Sequence, residues 1–157
     1  MHTVRSGSPF ESLASYSRAA RIGDLIAVSG TAALDDRGVA LFPGDAAAQT
    51  REAFARALDA AAALGARRED VIRTRIYLLA GTEWRGAVEA HGELFRGVDP
   101  ANTTLHVAEL IPQDCLVEVE VDAVTSGPVA AGAGARTDDG AADAGDAGST
   151  RGGGDAA

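Results

Sequence analysis

The chain predicts an α+β domain of two layers, with two helices over one face of a mixed β-sheet, in the order β-β-α-β-α-β-β. Three observations carry that prediction. Segments at 15–22, 25–29, 71–79, 103–109 and 116–124 show the alternating or continuous apolar character of strands. Two others, opening near Asp45 and Thr82, repeat apolar residues at three- and four-residue spacing. Glycine- and proline-bearing turns separate the segments, and no internal repeat occurs. That order fits helices segregated to one side of a sheet.

Ser15 to Ile22 reads as the first strand, and Gly23-Asp24 as a hairpin turn. Leu25 to Ser29 is an apolar run of the kind a strand buried on both faces shows, ended by Gly30. Asp35-Asp36-Arg37-Gly38 makes another turn, and Pro43-Gly44-Asp45 leads into the first helix. Asp45 supplies its N-cap, and Gly65, free of a Cβ, suits the left-handed position past its end. Ala47, Thr50, Phe54, Leu58, Ala61 and Leu64 form the inward stripe. Val71 to Leu79 is a strand with Ile72, Thr74, Ile76 and Leu78 on one face and Arg73, Arg75 and Tyr77 on the other. Thr82 is the expected N-cap of the second helix, with Trp84, Val88, His91 and Phe95 facing inward. The last two strands close the domain, and Glu118, Glu120 and Asp122 share one face of the second. Leu25–Val28 with Val117, Val119 and Val121 give more apolar surface than two helices cover. Self-association is the expected cover for the other sheet face.

The length of 157 residues divides into an N-terminal segment 1–12, a domain 13–125 and a tail 126–157. The tail is rich in Gly, Ala and Asp and holds no large apolar residue after Val129, so it reads as disordered. No apolar run reaches the length of a membrane span, and the first ten residues lack the core of a secretory signal. One cysteine, Cys115, rules out an intrachain disulfide and fits the cytoplasm. A net charge of −9 weighs against nucleic acid as partner.

Tyr16-Ser17, Ile22-Gly23-Asp24, Val28-Ser29-Gly30, Gln49-Thr50, Gly65, Asp70-Val71, Pro100-Ala101, Val107, Leu110, Pro112 and Glu118-Val119-Glu120 occur in a telling order. Together they resemble the Rid family, the YjgF-like reactive-intermediate deaminases, across about residues 15 to 125. The resemblance implies a chorismate-mutase-like fold and a homotrimer whose inter-subunit clefts hold small imines or enamines, with no metal or organic cofactor. It also implies that Tyr16, Ser29, Gly30, Asn102, Thr104 and Glu118 belong to the cleft, with Glu118 positioning the attacking water. Deaminating members carry Arg directly after Pro-Ala to bind the substrate carboxylate. This chain carries Asn102 there.

The residue types bear on that implication. A carboxyl in an apolar cleft, as Glu118 would be, titrates near neutral pH; on a wet strand face it is an ordinary acid. Asn102 can orient a neutral polar group but cannot replace the charged fork of arginine; otherwise it is a turn residue. His91 lies in an apolar helical stripe, either as a core imidazole or as a proton carrier that touches substrate. Arg18, Arg73 and Arg75 are the available substitute anion anchors. Neither His91 nor His106 has a second ligand at metal spacing, so no metal site is expected. Cys115 beside Asp114 is a poor nucleophile. The expected function is therefore hydrolysis or a related acid–base step on an imine, enamine or carbonyl compound, with 2-imino acid deamination weak or absent. The alternative is a small-ligand binding or sensing protein on the same trimeric scaffold.

Overall fold

The computed structural model describes residues 1–128, so the expected tail lies almost wholly outside the described residues. Its elements are β1 (His2–Val4), α1 (Pro9–Leu13), β2 (Ala19–Ile22), β3 (Leu25–Ala32), α2 (Ala46–Ala63), β4 (Val71–Leu79), α3 (Arg85–Leu94), β5 (Ala101–Val107) and β6 (Val117–Val124). One six-stranded sheet takes the order β1-β2-β3-β6-β4-β5. All neighbours are antiparallel except β4 and β5, which α3 connects as a crossover, so the sheet is mixed as the sequence predicts. The β-β-α-β-α-β-β order is present, with β1 and the short α1 added ahead of it.

The sheet has a helix-covered face and an open one, and β6 shows which is which. Val117, Val119, Val121 and Ala123 are fully buried, whereas Glu118, Glu120 and Asp122 between them are half-buried. Under the helices those residues join Phe54, Leu64, Ile76, Leu78, Phe95 and Ile26 in the core. The valines are therefore spent within one chain, and the expectation that they help form a second apolar face is corrected. The open face is polar along β6. Its main apolar patch is at one end, where Ile22, Leu25, Ile72 and Val124 are each about half exposed or more, and Leu105 on β5 is a further exposed apolar residue.

Helix α2 matches its sequence signals. The Asp45 side chain accepts from the Ala48 N–H at 2.9 Å, and Gly65 sits at φ +97°. A Cβ on Gly65 would overlap the Pro128 carbonyl oxygen, which adds a steric reason for glycine there. Thr50, Phe54, Ala61 and Leu64 are buried as expected, but Ala47 and Leu58 are only half-buried. Gln49 takes the inward place instead. Its Nε2 donates to the Leu41 carbonyl at 3.0 Å, and its Oε1 accepts from the Leu116 N–H at 2.7 Å.

Other expectations are corrected. Strand β3 continues through Gly30 to Ala32, and Leu25 and Ala27 are exposed, so it is not buried on both faces. The first strand is four residues, not eight, because Ser15 takes a positive φ of 52° and turns the chain before Ala19. Ile72 is 51% exposed because a register shift between Val71 and Arg73 swings it off the Thr74–Ile76–Leu78 face. Trp84 precedes α3 and is exposed; Glu83 rather than Thr82 caps that helix, accepting from the Arg85 and Gly86 N–H groups.

Candidate functional site

The open face gains its shape from β3. Its pairing with β6 runs regularly from Leu25 to Val28, then shifts before Thr31, so Ser29 and Gly30 form a bulge. A Cβ on residue 30 would overlap Oε1 of Glu118, so the absent side chain is what lets the carboxyl lie against the bulge. Ser29 Oγ donates to the Ser17 carbonyl at 2.8 Å and ties the bulge to the chain entering β2. Beside it opens a cavity of about 370 Å³ lined by Tyr16, Ser17, Ala27, Ser29, Glu120 and Asp122.

Tyr16 is held by the N-terminal segment. Its N–H donates to the Glu11 carbonyl at 3.2 Å. The buried Glu11 carboxylate accepts from Ser6 N, Ser6 Oγ and Gly7 N at 2.8, 2.9 and 3.2 Å. Burial alone would raise the Glu11 pKa, but these donors and the charge of Arg18 bring it below the usual glutamate value.

Glu118 behaves in the opposite way. Burial pushes its pKa up, the neighbouring Glu120 adds to the rise, and Arg18 opposes it. Glu120 belongs to a separate network: Arg75 Nη1 reaches Glu120 Oε2 at 3.1 Å and Asp122 Oδ2 at 3.2 Å, and the Tyr77 hydroxyl donates to Glu120 Oε2 at 3.2 Å. Burial first and then Glu120 raise the pKa of Tyr77, which keeps its phenol protonated. Cys115 is buried, and burial, Glu118 and Asp114 together push its thiol pKa up, away from nucleophilic use.

The remaining sequence-predicted residues stand on the other face. Asn102 and Thr104 lie on edge strand β5, in register with Thr74 and Ile76 of the helix-covered side. A chain of hydrogen bonds runs inward from them. Thr104 Oγ1 donates to Asn102 Oδ1 at 2.9 Å, and Asn102 Nδ2 donates to Thr74 Oγ1 at 3.0 Å. Thr74 Oγ1 in turn meets His91 Nε2 at 2.8 Å. His91 packs between the rings of Phe54 and Phe95, with centroids 5.4 and 4.7 Å away, and burial lowers its pKa. The imidazole is half-buried, held by Thr74 and the two phenyl rings. His106 bonds the Thr82 carbonyl at 2.9 Å.

Within one chain Glu118 lies against Gly30, and Tyr16 and Ser29 share the wall of a cavity lined by Glu120 and Asp122 but not by Glu118; Asn102, Thr104 and His91 form a separate group. The two groups do not meet. Sequence reasoning missed Thr74 as the link to His91 and Tyr77 as a partner of Glu120. Strand parity could have found both, since it places Tyr77 beside the last strand's acids and Thr74 toward the helices.

The comparisons with known proteins fit this architecture. A crystal structure from Mycobacterium tuberculosis, a member of the YjgF/YER057c/UK114 family, superposes with a TM-score of 0.69 at 42% identity, covering 78% of this chain and 98% of that one. An uncharacterised protein of Streptomyces coelicolor is 41% identical over 121 residues, 76% of this chain and 89% of the relative. A 2-iminobutanoate/2-iminopropanoate deaminase of Dermatophagoides farinae is 28% identical over 105 residues, 67% of this chain and 81% of the relative. The family model described as Endoribonuclease L-PSP matches residues 7–125. On this fold and these matches, the chain belongs to the Rid (YjgF-like) family.

Proposed function

We propose that the chain is a small-molecule enzyme acting on an imine, enamine or related carbonyl compound, in a cleft between two copies, with Glu118 placing the attacking water. The observation that carries this reading is the half-buried Glu118 carboxyl, laid against a residue without a side chain and raised in pKa by burial. A carboxyl raised in this way holds a proton more readily than an exposed glutamate, which suits it to take a proton from water and return it. In the hydrolytic version, ionised Glu118 takes a proton from water as the water oxygen bonds to the C=N carbon and the π pair moves to nitrogen. Glu118 then returns that proton to nitrogen, takes up the hydroxyl proton of the resulting carbinolamine and passes it to the same nitrogen; the oxygen electron pair closes the C=O bond as the C–N bond breaks, and ammonia leaves behind a carbonyl compound.

The deaminase named among the relatives supports imine chemistry. The separation of the two residue groups supports a shared cleft, because only a neighbouring copy can bring a β5 edge to the Glu118 face. Asn102 offers no charge, so a carboxylate finds no bidentate partner on β5 and 2-imino acid deamination is weak or absent. Ammonia release from 2-iminobutanoate generated in a coupled assay tests this. Little release is expected, and rates matching those of arginine-bearing members would refute it. On any imine that is turned over, Glu118→Gln is expected to cost about 100-fold or more.

A binding or sensing protein is the second reading. It draws on Asn102, whose oxygen and nitrogen are both tied inward to Thr104 and Thr74. Calorimetric binding without product formation from any imine or enamine would favour it.

A further inference from the structure

We propose that Arg18 is the anion-binding group of this site, and that its ligand is a small carboxylate bearing a carbonyl or imine carbon, gripped from the chain entering β2 instead of from β5. The inference rests on the reading of Glu118 above.

Three arginines serve the open face. Arg75 is committed to Glu120 and Asp122. Arg73 is exposed and stands at the register of Asp122, whereas Glu118 is level with Tyr77, four residues further along β4. At the rise of a strand that is about 13 Å away.

Arg18 is placed differently. Its Nη1 donates to the Gly30 carbonyl, to Thr31 Oγ1 at 3.0 Å and, more weakly, to the Ser29 carbonyl at 3.5 Å. Those contacts fix the guanidinium against the same bulge that receives Glu118. Among the described residues, Arg18 makes no ion pair, and neither Nε nor Nη2 has a hydrogen-bond partner. The other acid near it, Glu11, is already satisfied by Ser6 and Gly7. Nε and Nη2 form the side-on edge of a guanidinium, the two-pronged donor that matches a carboxylate. One edge is therefore immobilised by the fold while the other is left to bind, a preorganised fork next to the cavity walled by Tyr16, Ser17 and Ser29. Binding from this side leaves unfilled the orienting role of the β5 arginine, so tight carboxylate binding and slow 2-imino acid turnover coexist.

The test is calorimetry on the full chain with 2-oxobutanoate and its neutral amide. Wild type is expected to prefer the acid by about tenfold or more. Arg18→Gln should bring the ratio near one, and Arg18→Lys should leave an intermediate value. Arg73→Gln, a charge control on the same face, should keep the wild-type ratio. Equal weakening of both ligands by Arg18→Gln would assign Arg18 a purely structural role and overturn the proposal. So would an unchanged ratio, or a wild type that does not bind the acid. If Arg18→Gln fails to fold, the drop in ratio in Arg18→Lys decides alone. Glu118→Gln should leave the acid preferred, and turnover surviving that change would defeat the Glu118 reading while leaving this one standing.

Discussion

Glu118 and Glu11 are two carboxyls that burial treats alike and their partners treat oppositely. Among the described residues Glu118 has no hydrogen-bond donor, and burial and then Glu120 hold its folded pKa above its unfolded value. Its protonated form stabilises the fold at low pH, and that contribution is lost as pH rises through the folded pKa. Glu118→Gln is therefore expected to raise Tm at pH 7 to 8 while removing turnover, with the Tm gain vanishing below pH ~4, as thermal melts across pH would show. Glu11, with three donors, has its pKa lowered, and its contribution is present above the unfolded value and lost as pH falls through the folded one. Glu11→Ala should cost about 2–3 kcal/mol at pH 7 by urea unfolding, and less in acid. At this scale the sequence was partly legible. The alternation in the last strand marks Glu118, and the inward stripe of α3 marks His91. What strand spacing alone hides is the Ser6–Gly7–Glu11 contact and the chain of hydroxyl and amide groups reaching His91. Both depend on where separate elements come to rest.

Among the elements, α2 and β4 were read almost to the residue, because Asp45, Gly65 and the alternating β4 pattern are local signals. Asp45→Ala should cost about 1 kcal/mol, measurable by denaturant unfolding. The N-terminal strand escaped notice since three residues carry no period, and the end of β3 was misjudged because glycine reads as a stop. Here Gly30 is instead part of a bulge that keeps the strand going. Gly30→Ala would press a methyl group into Oε1 of Glu118 and is expected to displace the carboxyl. The check is a loss of turnover comparable to that of Glu118→Gln, with a small change in Tm.

For the whole molecule, the sequence anticipates two layers, but the valines it reads as surplus apolar surface are buried under the chain's own helices. Ile22, Leu25, Ile72 and Val124, at one end of the open face, are the apolar surface left over. A trimer is expected by light scattering, and Val124→Asp should shift it toward monomer because a charge buried in a contact is costly. The placement of Glu118 and Asn102 on opposite sides of one sheet has a genetic consequence. On the proposed cleft between copies, Glu118→Gln and a steric block such as Asn102→Trp damage different halves, so two inactive proteins are expected to complement one another. Equal amounts unfolded and refolded together should regain about a quarter of full turnover, since random assortment pairs one sound half with another in that share of clefts.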